Sequence, residues 1–158
     1  IAVESAPGQG SRFIVELPLA HADMQPPPAS AAPLRAVAGS LRLLLVEDDP
    51  IVAEVMQGLL REQGHVVVHA GHGLGALAEV ASQRFDAGLL DLDLPGLDGL
   101  ALARMLRAQG FVAPLLAVTA RSDADAEAQA HAAGFDDFLR KPVSGARLAQ
   151  ALHARVPQ

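Results

Sequence analysis

Six polar residues stand where the apolar runs of this chain stop. "LRLLLVE" runs into Glu47 and Asp48, "AGLL" into Asp91 with Asp93 two residues on, "PLLAV" into Thr119, and "DDFLR" into Lys141. Three carboxylates drawn together repel one another unless a cation joins them, and a hard dication with oxygen ligands, Mg²⁺, is the natural partner. A hydroxyl and an ammonium facing them suit the oxygens of a phosphoryl group. Asp91, at the centre, then reads as a nucleophile that forms an acyl phosphate. Mg²⁺, Thr119 and Lys141 would neutralise the three equatorial oxygens of the transition state. Lys141 is the one lysine among 12 basic residues. It brings a compact point charge to a chain that otherwise uses the planar fork of Arg.

The elements that must position these residues are legible. Asp49 and Pro50 mark a helix start, with Asp as cap and Pro at the first position. Ile51, Val52, Val55, Met56, Leu59 and Leu60 form one apolar helical stripe that Gly64 closes. "HVVVH" reads as a strand. Residues 73–83 read as a helix with Leu74, Leu77, Ala78 and Ala81 inward. A third helix starts near Asp98, read as its cap, and carries Leu102, Met105 and Leu106 to Gly110. An Ala-rich helix over 123–133 has no large apolar side chain to anchor it. A last helix follows Ser144 with Leu148 and Leu152 inward. Five apolar strands alternating with five helices imply an α/β domain, a parallel sheet covered on both faces. Right-handed crossovers make it doubly wound, and such sheets bind ligands at the carboxyl ends of their strands.

Composition sets the outer bounds. The chain has 158 residues, 51% of them hydrophobic, enough for one cored domain with something left over. A net charge of -6 gives no expectation of a basic face for nucleic acid. With no Cys, a disulfide framework and thiol catalysis are excluded. No apolar run reaches the roughly 18–20 residues that span a bilayer, so no direct membrane contact is expected. Because it begins at Ile1, the chain reads as a piece of a longer protein. Residues 1–19 read as a β-hairpin turning at Pro7–Gly10, residues 20–39 as a Pro/Ala-rich linker, and residues 40–158 as the main domain. His65, His69 and His72 mimic metal spacing but lack a fourth ligand and read as surface histidines.

The motifs "LLLVEDDP", "LLDLDLPGLDG", "VTA" and "FLRKP", in this order, resemble those of a response-regulator receiver domain. The resemblance implies a flavodoxin-like fold with strand order 2-1-3-4-5. It implies that Asp91 is the phospho-acceptor and that Asp48 and Glu47 bind Mg²⁺, Glu47 partly through water, with the backbone carbonyl of Asp93 as a further ligand. Thr119 and Lys141 would hold phosphoryl oxygens, Phe138 would be the aromatic switch residue, and Lys141-Pro142 would be cis. The partners implied are a histidine kinase domain or a histidine phosphotransfer domain, in the cytoplasm.

"VESAPGQGSRFIVELPL" is similar to the last hairpin of a histidine-kinase ATP-binding domain, which implies a hybrid sensor kinase as parent. This piece itself would be no dedicated enzyme and would not bind ATP. A different class of function stands beside this one. "DLDLP" also resembles the opening motif of haloacid-dehalogenase-type phosphatases, which use an aspartyl phosphate too. In that family, however, the D-x-D comes first and the further acidic pair last. Two further expectations concern the site's surroundings. Asp93 and Arg121 should approach each other across its mouth, and residues 119–140 should carry the response to phosphorylation.

Overall fold

The computed structural model describes residues 2–6, 10–14, 39–121 and 124–156. Strands β1 (Ala2–Ala6) and β2 (Gly10–Ile14) pair antiparallel, from Ala2 opposite Ile14 to Ala6 opposite Gly10. The expected hairpin is present as this two-stranded sheet. Its turn, the stretch through Leu17 and the proposed linker up to residue 38 lie outside the described residues.

The larger unit alternates strictly. Its elements are β3 (Arg42–Val46), α1 (Pro50–Glu62), β4 (Val66–Ala70), α2 (Gly73–Ser82), β5 (Ala87–Leu90), α3 (Gly99–Ala108), β6 (Leu115–Thr119), α4 (Ala124–Ala133), β7 (Asp137–Arg140) and α5 (Gly145–Arg155). The five strands lie in the order β4-β3-β5-β6-β7, every pair parallel. Counted from β3, this is the expected 2-1-3-4-5. The three inner strands are buried nearly throughout because helices cover both faces, which is why they read as unbroken apolar runs. Alternation along β3 divides the core. Leu43 and Leu45 join Met56, Leu60, Leu148 and Leu152 on the side of α1 and α5. Leu44 and Val46 join Leu102, Leu106, Phe111 and Phe138 on the side of α2, α3 and α4.

The predicted helix stripes are wider than the faces the sheet covers. On α1 the buried residues are Ala53, Met56 and Leu60. Val52 and Leu59 pack at the margin, while Ile51 is 73% and Val55 58% exposed. At 100° per residue, Ile51 and Val55 point away from the arc centred on Met56 and Leu60. On α2, Ala76 is buried and Leu77 and Val80 are partly so, whereas Leu74 is 69% exposed and Ala78 and Ala81 face solvent. On α3, Ala103 takes the inward place expected for Met105, which is half exposed. The Ala-rich helix is as thinly anchored as its sequence suggests: Ala126, Ala130 and Ala133 are its buried side chains among the described residues.

Caps follow the sequence signals. The Asp49 carboxylate accepts from the backbone N–H groups of Ile51 and Val52, that of Asp98 from Ala101, and the Ser144 hydroxyl from Arg147. Gly96 takes φ +80 in the turn after Asp91. Gly99 has a steric duty instead, since a Cβ there would run into the backbone of Asp91 and Leu92. A side chain at the start of α3 would push the loop after β5 out of place.

Candidate active site

All the chemistry-bearing residues lie at the carboxyl edge of the sheet because each strand's ladder runs one step past its apolar end. Glu47 N–H donates to Ala70 O at 3.2 Å, Asp91 N–H to Val46 O at 2.9 Å, and Lys141 N–H to Thr119 O at 2.9 Å. Their side chains converge. Lys141 Nζ donates to Glu47 Oε2 at 2.6 Å and to Asp91 Oδ2 at 2.7 Å, across ninety-four and fifty residues of chain. Asp91 Oδ1 accepts from the Asp93 N–H at 3.1 Å, which fixes the carboxylate's rotation. The Lys141-Pro142 bond is cis, as expected.

Burial and charge pull against each other here. Glu47 is 2% and Asp91 7% exposed, Thr119 is fully buried, and Asp48 faces solvent. Carboxylate oxygens of Glu47, Asp48 and Asp91 lie within 4.8 Å of one another, the one group of metal-ligand type among the described residues. Three carboxylates against one ammonium leave surplus negative charge. Burial pushes the Glu47 carboxyl above its ordinary value. The Lys141 bond and charge pull it down, and the nearby Asp91 adds to the rise, which prevails. For Lys141 burial is again the largest single influence, and it acts downward. The hydrogen bonds and charges of Asp91 and Glu47 together outweigh it and hold the ammonium above its ordinary value. With Glu47, Asp48 and Asp91 gathered around the single Lys141 ammonium, the pocket is short of positive charge. That shortage, and the all-oxygen donor set, fit a hard dication such as Mg²⁺.

The mouth of the site is closed by a second set. Arg121 bonds Asp93 Oδ1 through Nε at 2.8 Å and Nη2 at 2.7 Å, so the expected approach of the pair is found. The Thr119 hydroxyl donates to Asp93 Oδ2 at 3.3 Å and accepts from the Arg121 N–H at 3.2 Å. Phe138, the expected switch residue, is only 9% exposed and belongs to the core on the side of α2, α3 and α4.

The expectation of surface histidines holds for His69 and His72, which are exposed, and needs correction at His65. His65, just ahead of β4 at the opposite edge of the sheet, is 7% exposed, and its Nδ1 accepts from Leu41 N–H at 3.4 Å. Burial pushes its pKa down, helped by His153. His69 Nε2 bonds the Glu47 carbonyl at 2.8 Å, bracing the acidic loop from the neighbouring strand. His72 caps α2, its Nδ1 accepting from Gly75 N–H. Alternation along "HVVVH" revealed none of this. Ser, Thr, Asp and Asn are the usual caps, and the bracing bond reaches a backbone atom that sequence does not mark. Arg107 was missed as well. Its guanidinium donates to the carbonyls of Gly134, Phe111 and Ala113 and pairs with Asp136 at 2.7 Å, tying α3 to the ends of α4 and β6.

The family model of the response regulator receiver domain matches residues 43–153. This chain belongs to that family. The chain is 40% identical over 156 residues to the sensor histidine kinase AruS of Pseudomonas aeruginosa, covering 96% of this chain and 15% of that protein. It is 39% identical over 114 residues to the two-component response regulator PhoP of the same organism, covering 72% of this chain and 51% of that one. Among solved structures, it is similar to the receiver domain of a Pseudomonas aeruginosa PAO1 sensor histidine kinase, crystallised with a magnesium ion in its active-site cleft. That likeness is at 34% identity and TM-score 0.69, over 74% of this chain and 98% of that one. The receiver is thus a flavodoxin-like module of two-component phosphorelay signalling, and the phosphatase alternative falls away. Among the described residues, no helix is long and apolar enough to cross a membrane.

Proposed function

We propose that Asp91 accepts a phosphoryl group from a phosphohistidine on a histidine kinase or histidine phosphotransfer domain. The observation that carries this reading is the Lys141 ammonium set between Glu47 and Asp91 at 2.6 and 2.7 Å. A cation that already touches the nucleophile can follow the charge as it moves onto the incoming oxygens. An Asp91 carboxylate oxygen attacks phosphorus, the P–N bond breaks, and the imidazole keeps its electron pair and is reprotonated. An acyl phosphate is left on Asp91. The Asp93 N–H on Oδ1 holds the other oxygen in line. Lys141 exchanges its hold on the carboxylate for one on a phosphoryl oxygen, and Thr119 takes another.

Glu47, Asp48 and Asp91, with the backbone carbonyl of Asp93, would hold Mg²⁺. When bound, the ion supplies the positive charge that this pocket lacks while phosphoryl oxygens crowd onto a carboxylate. The output face would be residues 119–140, with Phe138 as the switch residue. Thr119 starts this stretch, and α4 is held to the sheet by alanines alone, so its local stability is low.

The likeness to AruS runs through nearly the whole chain, the β1–β2 hairpin region included. It supports a hybrid sensor histidine kinase as parent, a cytoplasmic receiver, residues 1–19 as the end of an ATP-binding domain and 20–39 as linker. Acetyl phosphate with Mg²⁺ tests the reading. Wild type should gain one phosphoryl group by intact mass and Asp91→Asn none, and equal labelling of both would sink the assignment.

A further inference from the structure

Thr119 has one hydroxyl proton, and in this receiver that proton is already committed. Thr119 is fully buried, and its Oγ1 donates to Asp93 Oδ2 at 3.3 Å. With no solvent access to lend a second donor, the hydroxyl must leave Asp93 before it can donate to anything on Asp91. Asp93 is itself held. Its Oδ1 takes both the Nε and Nη2 contacts of Arg121, and the Arg121 N–H donates back to Thr119 Oγ1 at 3.2 Å. The three residues close a ring from the end of β6 to the loop after β5, beside the acceptor carboxylate.

We infer that Asp93 is a positioning residue that competes with the phosphoryl group for the Thr119 proton, and that Arg121 sets the outcome by screening the Asp93 charge. This rests on Asp91 being the phospho-acceptor. In the resting receiver the ring keeps the hydroxyl turned toward Asp93. Arrival of a phosphoryl group offers Thr119 a more highly charged acceptor, and the hydroxyl changes partner. The ring opens at small cost because the Asp93–Arg121 pair is partly solvated, with side chains 47% and 36% exposed. The ring thus works as a bias on the phosphorylated state.

A steric cover over the acyl phosphate would lose protection in the same sense whichever partner was removed. Proton competition gives opposite signs. Asp93→Ala frees the Thr119 proton and removes a neighbouring negative charge, so a phosphoryl analogue should bind more tightly. Arg121→Ala leaves the Asp93 charge unscreened, strengthening its hold on Thr119 and its repulsion of the analogue, so binding should weaken.

The chain has no Trp and no Tyr, so intrinsic fluorescence is a poor probe. Fluorine NMR of beryllofluoride bound in the presence of Mg²⁺ reads affinity on the whole chain. Asp93→Ala should bind about tenfold more tightly, the scale of one hydrogen bond to a charged group, and Arg121→Ala more weakly than wild type. In a Thr119→Ala background most of the Asp93→Ala gain should vanish, and in Thr119→Ser, which keeps the proton, it should return. If Asp93→Ala and Arg121→Ala shift affinity in the same direction, or the gain is undiminished without the hydroxyl, the competition is overturned while the acceptor reading stands. If wild type binds no beryllofluoride at all, both are overturned.

Discussion

Lys141→Met removes the one ammonium that the site possesses and keeps most of the apolar stem. In the native receiver that ammonium makes two charge-assisted bonds, of 2.6 Å to Glu47 and 2.7 Å to Asp91. Each is worth about 1.5–3 kcal/mol. The side chain is only 19% exposed, so its own desolvation offsets part of that gain. The larger effect is on what remains. Glu47 and Asp91 side chains, 2% and 8% exposed, would face each other with no cation between them. Stranding buried charge in this way costs about 3–5 kcal/mol, of which some is recovered as one carboxylate takes up a proton. A net loss of about 3 kcal/mol is expected in EDTA at pH 7.5, read by urea denaturation followed in the far-ultraviolet. Adding Glu47→Gln to Lys141→Met should return about 1–3 kcal/mol, because the two positions are coupled through one contact. Mg²⁺ should also restore part of the loss. A Lys141→Met receiver within about 0.5 kcal/mol of wild type, at unchanged m-value, would refute the reasoning.

Further outcomes follow from the same geometry. Glu47→Gln alone should stabilise the metal-free receiver at neutral pH: folding raises the pKa of this acid, so its ionised form costs stability once the pH exceeds the folded value. The same variant should gain less from added Mg²⁺, which a thermal melt with and without the ion will show. His65 has a depressed pKa, so the native state binds fewer protons than the unfolded one. The stability it contributes is complete above about pH 6.5 and is lost as the pH falls below that. Urea midpoints between pH 8 and 5.5 should fall more steeply in wild type than in His65→Gln. Gly99→Ala forces a methyl into the Asp91–Leu92 backbone and should cost about 1–3 kcal/mol, while also weakening beryllofluoride binding. Hydrogen exchange with beryllofluoride and Mg²⁺ should change over 119–140 and leave α1 nearly unmoved; a response confined to 50–63 would place the output face elsewhere.

What could be read from the sequence divides along physical lines. The parallel sheet and the convergence of Glu47, Asp48, Asp91, Thr119 and Lys141 were legible because apolar runs have sharp ends and parallel crossovers put all those ends on one edge, whereas the strand order came from the receiver-domain resemblance. The Asp93–Arg121 pair was legible for the same reason, Asp93 lying two residues past Asp91 and Arg121 two past Thr119. Helix orientation was less so. Periodicity marks the apolar arc of α1 but not how much of it the sheet covers, and Ile51 and Val55 fall outside. Side chain to backbone bonds left the weakest trace. His69 on the Glu47 carbonyl, Arg107 on three carbonyls and His72 as a cap depend on which backbone groups remain unpaired, and that is set by the fold. His65 showed no sign of burial because its strand lies at the sheet edge, where alternation is weak.

The central claim is that Asp91 itself becomes the acyl phosphate. Borohydride reduces an acyl phosphate to the alcohol, turning the aspartate that carried it into homoserine. Applied to the receiver after treatment with acetyl phosphate and Mg²⁺, followed by peptide mapping, it should yield homoserine at position 91, and none when Mg²⁺ is replaced by EDTA. Phosphoryl uptake with homoserine at Asp93 or Asp48, or with Asp91 unmodified, would contradict the account.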